Sequence, residues 1–187
     1  MRYSEEEGQL ADRTKRFETV VLPHLDAAYN LARWLVRNDQ DARDVVQEAY
    51  LRAFRFFDGF RGENARPWLL GIVRNACYTW LSDSGRRSEH LEFDEARDSV
   101  EQVPCDGYSE NNPEHRLLQK IEAARVDAAI EALPFVFREV LILREFEEMS
   151  YEEISQVAVI PVGTVMSRLA RARAMLRAAL VPPAEEN

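Results

Sequence analysis

The stretch SYEEISQVAVIPVGTVMSRLARARAMLR, residues 150–177, decides how this chain is read. Its opening residues, Ser150-Tyr151-Glu152-Glu153, form a capping-box signature: the serine hydroxyl accepts from the backbone of Glu153, whose side chain reaches back. A short helix follows to about Ala158, Ile160-Pro161 turns the chain, and a second helix runs from about Val162 to Leu180 before Pro182-Pro183. Ile154, Val157, Val165 and Leu169 fall where the two helices would form a small core. Arg168, Arg171, Arg173 and Arg177 line the second helix, with no acid between Pro161 and Leu180. Two short helices, a tight turn and a basic second helix describe a helix-turn-helix that docks on DNA. Gly163 and Thr164 lie in its first turn, where backbone N–H groups and the helix dipole favour a phosphate. A merely solvated basic helix face is the competing reading; the spacing favours DNA contact.

Upstream of this unit the periodicity is also helical. Apolar residues Leu25, Ala28, Leu31, Ala32 and Leu35 predict a helix over His24 to Arg37, with Pro23 able to open it. A second is predicted from about Asp41 to Phe57, broken by Asp58-Gly59 and Arg61-Gly62, and a third from about Arg66 to Leu81. Ser82 to Pro113 is glycine- and proline-punctuated and rich in acid, with Arg97 its only base past Arg87. Helices resume over about Glu114 to Ala132 and Pro134 to Phe146. No β pattern and no internal repeat is present. The expectation is an all-α protein of two small helical domains, 1–84 and 114–187, joined by a flexible acidic linker over 85–113.

Composition excludes several classes. The chain has 187 residues, 46% hydrophobic and 30% charged, and no apolar run long enough to span a membrane. Met1 to Leu10 is acidic and polar, which predicts no secretory signal and a cytoplasmic protein. Cys77 and Cys105 lack CxxC spacing, and His24, His90 and His115 lack ligand spacing, so neither a disulfide framework, a metal site nor a cofactor is expected. No phosphate-binding loop, nucleophile elbow or zinc-protease motif occurs, so an enzyme is not expected. The net charge of −9 hides its distribution. Lys15 and Lys120 are the only lysines; the other bases are arginine, the better residue for bidentate contact to phosphate and guanine.

Two further constellations stand out. Arg61, Arg66, Arg74, Arg86 and Arg87 interleave with Phe60, Trp68, Tyr78 and Trp80, a composition that suits single-stranded nucleic acid. Aromatics at helical spacing are also ordinary core residues, and Trp68 is expected in the core. Asp41, Arg43, Asp44, Gln47, Glu48 and Arg52 form a polar helix face that is either solvated or docks a partner helix.

Taken in order, these blocks resemble the sigma-70 family of bacterial transcription initiation factors, in its extracytoplasmic-function (ECF) group. YNLARWLVRNDQDARDVVQEAYLRAFRFFDGFRG (29–62) is similar to the start of region 2, and RPWLLGIVRNACYTWL (66–81) to its promoter-melting part. EALPFVFREVLILREFEEMSYEEISQVAVIPVGTVMSRLARARAML (131–176) is similar to region 4. The resemblance implies a sigma factor whose Asp44, Gln47 and Glu48 meet a coiled coil of core RNA polymerase. It gives Arg61, Asn64, Arg66, Arg74, Asn75, Arg86 and Arg87 to the minus-ten element, with Asn75 holding a flipped base. It sets Gly163, Thr164, Ser167, Arg168 and Arg171 at the minus-thirty-five element. It implies promoter DNA and an anti-sigma factor as further partners, and a monomer without membrane insertion. A stand-alone helix-turn-helix regulator is the alternative. The chain departs from the family at Val159, where glycine is common, and at Thr79, Met166 and Ala170. A β-branched residue is costly at positive φ, so the turn at Val159 is expected to differ in shape.

Overall fold

The computed structural model describes residues 2–62, 64–83 and 113–181, and among these the regular structure is entirely helical. The N-terminal half contains α1 (Arg2–Val21), α2 (Leu25–Val36), α3 (Asp39–Phe56) and α4 (Ala65–Asp83). The C-terminal half contains α5 (Pro113–Ala132), α6 (Phe135–Leu141), α7 (Tyr151–Ala158) and α8 (Val162–Leu180). The expected linker, with Arg86, Arg87 and Cys105, lies outside the described residues.

Each boundary has a local cause. Asn38 caps α3, its side-chain oxygen accepting from the backbone N–H groups of Gln40 and Asp41 at 2.9 and 3.0 Å. Asp39 and Asp41 then lie in the first turn, where the helix dipole favours acids. Pro23 lies in a 3-10 turn, Leu22–His24, between α1 and α2. The helix expected to reach Phe146 is α-helical only to Leu141; Ile142–Phe146 widen into a π turn. The capping box at Ser150 is complete: Glu153 N–H donates to the serine hydroxyl at 3.2 Å, and the Ser150 N–H donates to the Glu153 carboxylate at 2.9 Å.

Helix α1 has no counterpart in the periodicity reading, because little of it is apolar. Phe17 and Val21, one turn apart, are its buried anchors. Phe17 meets Tyr50, Phe54 and Phe57 edge-on, with centroids 6.3, 5.1 and 5.2 Å away. Arg13 donates to the Phe54 carbonyl at 2.7 Å and pairs with Asp58 at 3.1 Å, placing a cation at the C-terminal end of α3.

Helices α2, α3 and α4 pack mutually, and their buried Leu31, Leu35, Val45, Ala49, Leu69 and Val73 form one side of the core. In the C-terminal half Phe137, Val140, Ile154, Val157, Val165 and Leu169 form the other. The four residues expected to unite the helix-turn-helix are all buried there. The halves do not stand apart: α4 packs on α7 and α2 on α6, so one apolar cluster runs through both.

The turn between α7 and α8 corrects one expectation. Val159 has φ 55° and ψ 48°, so the turn keeps its left-handed shape despite the β-branched residue. Its N–H donates to the Ser155 carbonyl, the Ile160 N–H donates to the same oxygen at 3.2 Å, and the Ser155 hydroxyl donates to the Ile160 carbonyl at 2.5 Å. These bonds hold a conformation that a valine resists by about 1–2 kcal/mol. The Val159 side chain is 76% exposed, so removing it leaves no cavity. Val159→Gly is expected to stabilise the protein by about 0.5–1 kcal/mol, after the added freedom of the unfolded glycine is subtracted. A rise of about 1–4 °C in the thermal midpoint checks this; an unchanged or lower midpoint removes strain from the account of this turn.

Candidate nucleic-acid interface

The basic and aromatic residues of the N-terminal half converge on α4 and the loop before it. The Asn64 side-chain oxygen accepts from the Arg66 N–H at 3.1 Å and so starts α4. One turn spacing then sets Arg74 beside Tyr78, with the guanidinium 4.4 Å from the ring centre. Asn75 is exposed and accepts from Arg74 at 3.3 Å. Phe60 and Trp68 lie 4.9 Å apart with their rings tilted, each against Phe57 at 6.3 and 6.5 Å, and form the half-buried floor of this region. Trp68, expected in the core, thus packs against it while keeping one edge on a cleft.

That cleft, of about 550 Å³, lies between the two halves. Phe60, Arg61, Trp68 and Asn75 line it on one side, and Gln156 and Val159 from the helix-turn-helix line it on the other. The halves are also joined by polar side chains on the C-terminal side that sequence reading did not single out. Arg74 forms an ion pair with Glu139, whose carboxylate is fully buried. Arg66 pairs with the buried Glu147 at 2.5 Å, and Asn30 donates to the other Glu147 oxygen at 2.8 Å. Asn64 donates to Glu153 at 3.0 Å. Tyr78 meets Phe135 edge-on at 4.4 Å, and Trp34 lies 5.4 Å from Phe146.

Electrostatics follow from this burial. Burial raises the Glu139 carboxyl, while Arg74 and then Arg168 pull it back toward ionisation. Burial also works against the charge of Arg74, but Glu139 outweighs it and the guanidinium is held more firmly protonated. Burial pushes the Cys77 thiol up, so it is a neutral, inert group. Arg138 is fully buried and donates to the carbonyls of Glu131 at 2.7 Å, Leu133 at 3.2 Å and Leu35 at 3.4 Å. Desolvation, then the nearby Arg37, lowers its proton affinity, yet a guanidinium stays charged at neutral pH.

The remaining sequence-predicted residues fall in two places. Asp44, Gln47 and Glu48 are all exposed on α3, the last pairing with Arg52 at 2.8 Å. Gln47 borders an apolar groove of about 570 Å³ that includes Leu25, Val46 and Tyr50. On α8, Gly163 and Ser167 are exposed, and Thr164, Arg168 and Arg171 are half-buried. Arg168 lies close enough to the seam for its charge to act on Tyr78 and Glu139. Arg173 instead pairs with Glu145 at 2.6 Å, tying α8 to the π turn. The signal that could have found the seam is Arg138-Glu139 itself, two adjacent charges inside the apolar run Phe135 to Leu143. Adjacent helical residues diverge by about 100°, so burying both needs a second surface.

The family model described as Sigma-70 region 2 matches residues 20–87, and that described as Sigma-70, region 4 matches residues 123–176. The RNA polymerase sigma-H factor of Pseudomonas aeruginosa is 36% identical over 191 aligned positions, covering 95% of each chain. The ECF RNA polymerase sigma-E factor of Escherichia coli K12 is 39% identical over 136 positions, 71% of this chain and 70% of that protein. Among solved structures, the sigma factor RpoE of Bartonella quintana, in complex with the anti-sigma factor NepR, superposes with a TM-score of 0.65 and 26% identity. That match covers 89% of this chain and 97% of RpoE. CnrH, in complex with the cytosolic domain of CnrY, gives a TM-score of 0.61 at 26% identity, covering 89% of this chain and 88% of CnrH.

Two tyrosines report on this packing. Burial, then Asp26, pushes Tyr50 up to about 12; burial, then Glu139, pushes Tyr78 up to about 12. Both raised values mean that folding favours the protonated phenol. Their contribution to stability is therefore complete below pH of about 10, the unfolded value, and is lost as pH rises toward about 12. Ultraviolet titration should show Tyr50 and Tyr78 ionising later in the native protein than in denaturant. Uniform ionisation near pH of about 10 in the native state would contradict this packing.

Proposed function

The chain belongs to the sigma-70 family, in its ECF group, and from that premise we propose how its parts divide the work of promoter-specific transcription initiation. Residues 1–84 bind core RNA polymerase and capture and melt the minus-ten element. Residues 114–187 recognise the minus-thirty-five element, and 85–113 connect them. The observation that carries this reading is the convergence of Arg61, Asn64 and Asn75 with Phe60 and Trp68 around one cleft, with Arg66 and Arg74 beside them on α4. Arginine supplies phosphate contacts, the aromatic edges supply a stacking surface, and the Asn75 amide can both donate to and accept from a base edge. Arg61 extends the basic rim of this surface, and Arg86 and Arg87 extend it in sequence.

Polymerase binding falls to the exposed Asp44, Gln47 and Glu48 of α3, beside the apolar groove at Leu25, Val46 and Tyr50. A coiled coil fits such a surface because it offers apolar residues to the groove and charges to its rim. On α8, Gly163, Thr164 and Ser167 open the recognition helix toward phosphate, and Arg168 and Arg171 reach base edges. The protein acts in the cytoplasm as a monomer under the control of an anti-sigma factor. No helix among the described residues is long and apolar enough to cross a membrane.

Reconstituted transcription tests the reading. Purified protein, core polymerase and a promoter-fragment library should yield start sites that depend on this protein and share two spaced motifs. Duplex binding without core, and no such initiation, would favour the stand-alone regulator. Asn75→Ala should reduce open-complex formation and leave core binding intact; loss of core binding would undo its assignment. Arg171→Ala should weaken the upstream element by about 1–3 kcal/mol if it reads a base. Unchanged promoter preference would remove it from the reading set. Replacing Asp44, Gln47 and Glu48 together by alanine should weaken core binding at least about tenfold, or about 1.4 kcal/mol, in a titration; an unchanged affinity would move that surface elsewhere.

A further inference from the structure

Helix α8 carries a large exposed side chain to which the reading above gives no task. Met166 is 54% exposed, on a helix whose assigned groups are arginines and hydroxyls. The buried stripe of α8 is Val165, Leu169 and Ala172, and Met166 lies about 100° round the axis from Val165. Gly163, Met166, Ser167 and Ala170 are all exposed, at the i, i+3, i+4 and i+7 spacing of one helix face. Among these four Met166 alone has a long side chain, so none of the others reaches as far from the helix axis. The Ser167 hydroxyl donates to the Thr164 carbonyl at 3.0 Å, which holds it against its own backbone. Arg173 is turned to Glu145 at 2.6 Å, toward the π turn.

The surroundings of Met166 decide what covers it. Arg168, Arg171, Arg173 and Arg177 share its helix, and no acid stands between Pro161 and Leu180. An arginine helix without acids is complementary to a polyanion. Met166 lies in the N-terminal part of α8, the part of a recognition helix that meets base edges, and the small residues around it let the helix backbone come close to a groove floor. The base edges of the major groove offer one apolar group, the C5 methyl of thymine. A thioether has no donor and is only a weak acceptor. Over cytosine it would cover the N4 amino group without pairing it, which costs free energy. Over thymine it covers a methyl group that is better out of water. Resting on the functional reading above, we propose that Met166 is a specificity-determining residue of the recognition helix, selecting thymine at one position of the upstream promoter element by apolar contact with its C5 methyl.

The work of α8 then divides by chemistry. Arginines attract the duplex and bond to phosphates and base edges, and these contacts favour purines, since guanine offers them two acceptors. Met166 adds a choice between the two pyrimidines that no arginine can make. Burying one methyl group corresponds to about threefold to fivefold in affinity, so the preference is measurable without being absolute.

The test uses core RNA polymerase carrying the full chain, at limiting concentration, on templates whose upstream element is randomised. Transcripts are sequenced for the wild type, Met166→Ala and Met166→Leu. Position 166 lies outside the buried stripe, and alanine and leucine both favour helix, so both variants keep α8. The wild type should prefer thymine to cytosine at one position by at least about threefold. Met166→Ala should lose that preference and keep the rest of the profile, and Met166→Leu, apolar and of similar volume, should retain it. The methyl group is then moved by itself at that position. Uracil in place of thymine should lower wild-type initiation about threefold to fivefold, and 5-methylcytosine in place of cytosine should raise it by a similar factor. Met166→Ala should respond to neither change. Equal use of thymine and uracil by the wild type overturns the proposal, as does a thymine preference that survives Met166→Ala. A uniform loss of initiation in Met166→Ala on every sequence also overturns it, and points to a protein contact at Met166. Failure of the functional reading shows separately, as absent initiation by the wild type with core polymerase.

Discussion

The pairing of Arg74 with the buried Glu139 governs how this molecule is put together. Neither group belongs in an apolar interior alone: an unpaired buried charge costs several kcal/mol. Arg74 reaches Glu139 only if α6 lies across α4, and that approach brings Phe135 onto Tyr78 and Glu147 onto Arg66. The neighbouring Arg138 then points to the end of α2. Four helices from two separate stretches of chain are thereby fixed around two adjacent charges. The apolar core supplies the larger share of free energy, because area removed from water scales with the many buried side chains. The charges supply orientation, because hydrogen bonds are directional and apolar contact is not.

Much of this was legible from residue order alone. The helices α2 to α8 announce themselves by apolar spacing and by their stops, because local periodicity reflects which face is buried. Ser150 and Glu153 close their capping box as their spacing requires, and Ile154, Val157, Val165 and Leu169 meet as a small core. Helix α1 was not legible: Phe17 and Val21 give it too narrow a stripe to distinguish from a polar tail. Its place depends on Arg13 and Phe17 finding α3, a contact across about 40 positions of chain that no local window contains.

The candidate site shows the same division. Residue type and spacing picked out Arg61, Arg66 and Arg74, because arginines interleaved with rings carry a chemical meaning by themselves; Asn64 and Asn75 came only from the family resemblance. Type and spacing did not reveal that Glu139, Glu147 and Glu153 face those residues, since two ion pairs and a hydrogen bond spanning 65, 81 and 89 positions leave no periodic trace. Val159 was read as a departure that would reshape its turn. The turn kept its form because Ser155 and Ile160 bond around it, and the burden fell on one backbone torsion.

The carbonyl grip of Arg138 has a consequence for the order in which the molecule assembles. Two of its three contacts stay within the C-terminal half, so that half carries its own wiring before it meets the other. Forming the seam is then a docking of preformed surfaces rather than a folding reaction.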